Sequence, residues 1–155
     1  MTDQAWLDRA VRLAVENVAA GGGPFGALVV RDGAVLATGT NRVTRDHDPT
    51  AHAEVVAIRA ACAELRDFSL VGCTLFTSCE PCPLCVSAAL WARLDRVVYA
   101  ADRDDAARGG FDDRAFYDLL GRDRATWPMA VAAAPVADRF APFQAWLGHE
   151  ARTHY

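Results

Sequence analysis

The densest chemistry in this chain lies in Ser78-Cys79-Glu80-Pro81-Cys82-Pro83-Leu84-Cys85, where three of the five cysteines stand at intervals of three. Such a cluster could be a disulfide source, a redox pair or a metal site. Five is an odd count, and the N-terminal MTDQAWLDRA has neither the basic nor the apolar segment of an export signal. Both observations point to the reducing cytoplasm, where clustered thiols serve metals or catalysis more often than disulfides. Cys82 and Cys85 open a helix predicted over 83–93, and their spacing puts both on one face. A helix N-terminus favours thiolate, so the pair suits redox chemistry or a tetrahedral metal equally well.

Upstream, Thr50-Ala51-His52-Ala53-Glu54 adds an imidazole and a carboxylate at the start of another predicted helix. Side chains in a first turn lean toward the helix N-terminus, so His52 and Glu54 can converge on an ion held beyond it. With His52, Cys82 and Cys85 as ligands of one zinc per chain, the fourth tetrahedral position stays open, as catalysis requires. Glu54 is then placed to move a proton. Cys79, Cys62 and Cys73 read as small buried residues. The competing readings are a non-catalytic zinc knuckle and a redox Cys-x-x-Cys.

The elements that must hold these groups alternate along the chain. Leu7, Ala10, Val11, Ala14, Val15 and Val18 trace one face of a helix over 3–20, which Gly21-Gly22-Gly23 stops. Runs at 27–31 and 34–40 are joined by Asp32-Gly33, a dipeptide suited to a primed hairpin turn. Asp48-Pro49 reads as a helix start, with the helix over 51–65. Strands follow at 74–78 and 96–101, a weak helix at 116–120, a last strand at 129–136 and a last helix at 140–150. This order predicts an α/β fold, a three-layer α/β/α sandwich with a mixed five-stranded sheet. No repeat or linker interrupts it, so 1–155 is expected to form one catalytic domain.

Several functions are excluded or disfavoured by composition. All sixteen basic residues are Arg, which removes Schiff-base chemistry and the lysine-dependent phosphate loop. A net charge of −4 argues against a general nucleic-acid binder. No apolar run reaches membrane-spanning length.

His52-Ala53-Glu54 followed by Pro81-Cys82-Pro83-Leu84-Cys85 matches the zinc deaminase signature His-x-Glu…Pro-Cys-x-x-Cys. These motifs resemble the cytidine deaminase superfamily. The wider sequence is similar to its guanine deaminases, through GGPFGALVV, DPTAHAEVVAIRAAC, LFTSCEPCPLC, ALWARLDRVVYAADRDDAARGGFDD and APFQAWLGHEARTHY. The resemblance implies hydrolytic deamination of a free nucleobase, guanine to xanthine and ammonia, with Glu54 as proton shuttle. It further implies that Asn41 hydrogen-bonds the purine, Phe25 stacks on it, Trp91 walls the pocket and Tyr155 closes it. Asp113 would contact the base edge and assist proton transfer, although Asp112 stands beside it and residue type does not separate the two. A homodimer is implied, whose C-terminal helix (about 138–155) can be exchanged between copies. Alternatives with the same motifs are deaminases of cytosine, a modified base, a triazine or tRNA adenosine. From a different class comes a non-catalytic zinc-binding interaction module.

Overall fold

The computed structural model describes residues 1–155. Its helices are α1 (Asp3–Ala19), α2 (Val43–Asp46), α3 (Ala53–Leu65), α4 (Pro83–Trp91), α5 (Arg103–Arg108), α6 (Arg114–Leu120) and α7 (Ala141–Gly148). Its strands are β1 (Gly26–Arg31), β2 (Ala34–Thr40), β3 (Cys73–Cys79) and β4 (Arg96–Ala101). They form one mixed sheet in the order β2-β1-β3-β4, antiparallel except for the parallel β3–β4 pair. Asp32 and Gly33 both take positive φ, 51° and 73°, as a primed hairpin turn requires.

The sheet has four strands where the sequence suggested five. Residues 129–136 are irregular and exposed. Met129-Ala130-Val131-Ala132-Ala133-Ala134-Pro135-Val136 is apolar, but alanine offers little side chain to pack across a ladder and Pro135 has no N–H to donate. Apolarity alone therefore does not make it a strand.

Alternation along the central strands builds the layers. Leu28, Val30 and Phe76 pack with Trp6 and Ala10 of α1 on one face. Ala27, Val29 and Leu75 pack with Ala53, Ala57, Ile58 and Ala61 of α3 and Ala89 of α4 on the other. The buried stripe of α1 is Trp6, Ala10, Ala14 and Asn17, while Val11, Val15 and Val18 are exposed. This face is rotated from the one that valine content suggested, because the bulky Trp6 and the hydrogen-bonding Asn17 take the inward positions.

α3 lies unusually close to β2. A Cβ built on Gly39 would come within 2.2 Å of the Ala53 carbonyl oxygen and 2.5 Å of the Ala57 nitrogen, both backbone atoms. Gly39→Ala must push α3 away from the sheet, and with it the residues at its N-terminus. Overpacking of this kind costs about 1–3 kcal/mol, so a melting temperature lower by roughly 3–10 °C is expected. An unchanged melting curve would refute the close packing.

Met1–Asp118 forms one compact unit and Leu119–Tyr155 a second. No residue of the second unit is buried, and after the last two residues of α6 it holds a 3₁₀ turn (Arg124–Thr126) and α7 joined by irregular chain. No helix is long and apolar enough to cross a membrane.

Candidate active site

Two helix N-termini meet at the ends of the strands. His52 is the N-cap residue of α3 and Cys82 the N-cap of α4, both with extended backbone and neither side chain spent on capping. Pro83 follows at the first helical position, where its missing N–H costs nothing. The helix before His52 that Asp48 and Pro49 suggested does not form. Asp48 instead closes a tight turn by accepting from the Thr50 N–H (2.8 Å) and hydroxyl (2.6 Å), and the extended His52 begins α3.

Three ligand atoms converge. His52 Nδ1 lies 3.4 Å from Cys82 Sγ and 3.4 Å from Cys85 Sγ, and the two sulfurs are 3.7 Å apart. A disulfide, at about 2.0 Å, is excluded. A tetrahedral zinc with Zn–S about 2.3 Å and Zn–N about 2.0 Å holds its sulfurs about 3.8 Å apart and sulfur from nitrogen about 3.5 Å apart. The cluster fits that ion. His52, Cys82 and Cys85 form one metal-binding group, and Glu54 is not a member.

Glu54 sits directly beside the cluster, 5% exposed. One carboxylate oxygen accepts from the Thr77 hydroxyl (3.1 Å) and the other lies 3.4 Å from Cys85 Sγ. Burial pushes its pKa up. The Cys85 hydrogen bond brings Cys82 down to about 4, while the same bond raises Cys85. Interaction with Cys82 raises His52. Cys79 is turned away, its sulfur 3.8 Å from the Asp102 carbonyl, and burial raises it to about 11.

The two neighbouring aspartates have different fates. Asp112 is exposed and engaged by Arg114 through Nε (2.8 Å) and Nη2 (2.9 Å). Asp113 is half-buried, and its Oδ1 is buried without a hydrogen-bond partner. Burial and then the Cys82 charge raise its pKa.

Asn41 and Phe25 sit at the same end of the sheet. Asn41 N–H donates to the Phe25 carbonyl (3.1 Å), next to the Gly26–Thr40 pair. The Asn17 amide donates to the carbonyls of Gly23 (2.8 Å) and Asn41 (2.9 Å), fixing this corner. Asn41 Oδ1 accepts from the Val43 N–H at 3.2 Å. The Phe25 ring meets Phe111 edge-on, centroids 5.0 Å apart. An apolar cleft of about 350 Å³ between α1 and the sheet includes Phe25, Phe111 and Cys79, but none of its lining residues is a metal ligand. Trp91 ends α4, roughly 9 Å along the axis from Cys85, with Arg93 over its ring at 5.8 Å. Tyr155 lies in the second unit, edge-on to Trp146.

The sequence reading missed Thr77 and Asn17. A Thr in the otherwise apolar run of β3, and an Asn one turn beyond Ala14 on the inward stripe of α1, were the available signals.

Residues 1–101 match the family of the cytidine and deoxycytidylate deaminase zinc-binding region. The guanine deaminase of Bacillus subtilis (strain 168) is 47% identical over 156 residues, covering 100% of both chains. A solved guanine deaminase structure from Bacillus subtilis matches with a TM-score of 0.97 at 47% identity, covering 100% of this chain and 99% of that one. The tRNA-specific adenosine deaminase of Buchnera aphidicola subsp. Schizaphis graminum is 32% identical over 117 residues, 76% of this chain and 78% of its own.

Proposed function

We propose that this chain, which belongs to the cytidine and deoxycytidylate deaminase zinc-binding family, deaminates guanine hydrolytically to xanthine and ammonia. The observation that carries the choice of base is the extent of the likeness. Similarity to the Bacillus subtilis guanine deaminase runs through the whole chain, whereas similarity to the tRNA deaminase covers about three quarters.

His52, Cys82 and Cys85 hold the zinc. Bound there, it supplies Lewis acidity, lowering the pKa of water to about 7. Glu54 takes a proton from the attacking water and delivers it to the nitrogen leaving C2. Thr77 holds one Glu54 oxygen, so the other faces the cluster. Guanine presents N1–H and its C2 amino group side by side, two donors that an acceptor-only carboxylate complements. The unpaired Oδ1 of Asp113 supports its assignment to that edge, and the engagement of Asp112 by Arg114 favours Asp113 over its neighbour. Asn41 donates its amide N–H groups to the purine, while Phe25, braced by Phe111, stacks on it.

Trp91 walls the pocket and Tyr155 closes it. They are 65% and 75% exposed on the single chain. Residues 1–155 act as one catalytic domain whose C-terminal helix (about 138–155) is exchanged between two copies. The exposed Phe140, Phe143 and Leu147 of that segment support a swapped homodimer. The acidic balance favours a small base over nucleic acid, and the unpaired cysteines favour the cytoplasm.

Ammonia release from guanine, adenine, cytosine, cytidine, a triazine and tRNA tests the reading. Guanine should exceed every other substrate by at least about 100-fold in kcat/KM, because a wrong donor order leaves buried polar groups unpaired. Preference for any other member of the panel overturns the assignment.

A further inference from the structure

Arg103 and Tyr117 take no part in the steps above, yet they lie between the cysteine loop and Asp113. We propose that Arg103, acting with Tyr117, is a positioning residue that sets Asp113 against the zinc site by clamping α6 to the Glu80–Pro81 segment. This rests on the reading of Asp113 as the group that receives the base.

The clamp joins three segments. Asp102 caps α5 in a capping box, so Arg103, the first residue of the helix, starts at the end of β4. Its backbone N–H donates to Glu80 Oε2 (3.0 Å), and its guanidinium donates through Nε (3.2 Å to each oxygen) and Nη2 (2.5 Å to Oε1). Glu80 is held in turn by its N–H to the Ala101 carbonyl (2.8 Å) and keeps only 15% side-chain exposure. The back of the same guanidinium lies over the Tyr117 ring, 3.8 Å from its centroid. The Tyr117 hydroxyl donates to the Pro81 carbonyl, immediately before Cys82.

Tyr117 lies in the first turn of α6, and Asp113 immediately precedes that helix, its carbonyl accepting from the Phe116 N–H (2.9 Å). Asp113 has a buried oxygen with no partner, so that oxygen does not anchor its own side chain. Its position follows from the backbone at the start of α6, which Tyr117 ties to the cysteine loop. Arg103 does not neutralise Asp113 by pairing with it, because Glu80 already occupies its donor fork. The carboxylate is therefore left unpaired by Arg103 and available.

The test uses the full-length, zinc-loaded protein and the base from the panel that it turns over fastest. Arg103→Met should keep one zinc per chain and raise KM roughly 10–100-fold, with a smaller change in kcat, because misplacement by an ångström is enough for such a loss. In the double variant Arg103→Met/Asp113→Asn, kcat/KM should be no lower than in Asp113→Asn alone, since the arginine acts through the aspartate. Additive losses, or an unchanged KM, would overturn the positioning role. If Asp113→Asn itself has no effect, the role of Asp113 fails and the clamp's role with it, while guanine turnover by the parent protein still decides the reaction separately. Should Arg103→Met not fold, Tyr117→Phe keeps the ring under the guanidinium and removes only the bond to Pro81. It should raise KM in the same direction, and an unaltered KM there counts against the proposal.

Discussion

Glu54→Gln should leave zinc content and base affinity near those of the parent protein and lower kcat by about 10²–10⁴-fold, the usual contribution of a general acid–base group. The substitution is nearly isosteric. The amide oxygen can still accept from Thr77, and none of the three ligand residues is touched. What disappears is the capacity to carry a proton. Because Glu54 is 5% exposed, solvent has little access to replace it. Metal analysis alongside ammonia release separates this outcome from simple loss of zinc. A decrease smaller than tenfold would remove Glu54 from the proton path.

Cys82→Ser should release the metal, whereas Cys79→Ser should retain it. The two thiols are three residues apart, yet only Cys82 and Cys85 lie at zinc-ligand spacing from His52 Nδ1. A hydroxyl is a poor substitute for thiolate, and a ligand's loss should exceed the roughly 10–100-fold drop in affinity that follows loss of an outer-shell partner. Cys79 stays a neutral thiol against the Asp102 carbonyl, so a hydroxyl there meets a similar environment. Titration with a competing chelator measures both variants. Retention of zinc by Cys82→Ser, or its loss from Cys79→Ser, would overturn the ligand assignment.

Much of the fold could be read from local signals. The β1–β2 hairpin was legible because Asp32-Gly33 sits between two β-prone runs, and β4 because the β-prone Val97, Val98 and Tyr99 stand together at its centre. The expected fifth strand does not form, since 129–136 is apolar but alanine-rich, with branched side chains only at Val131 and Val136. The start of α3 was placed too early because Asp48-Pro49 looks like a cap in isolation. The hydrogen bonds from Thr50 show that the side chain closes a turn instead.

The metal chemistry depends on residue type and short spacing. His52, Glu54, Cys82 and Cys85 dictate it wherever two helix N-termini can meet, because ligand identity and the first-turn geometry are local properties. What separates Asp112 from Asp113 is not local. It depends on Arg114 engaging one carboxylate while burial orphans the other, and the two residues are otherwise chemically identical. Arg103 makes the same point, since in the acidic run Asp102-Arg103-Asp104-Asp105 it reads as one more solvated charge. Only the tertiary structure puts Glu80 in front of its guanidinium and Tyr117 behind it. A side chain's partners come from strands and helices distant in sequence, and pairwise electrostatics and burial are decided only when those elements pack.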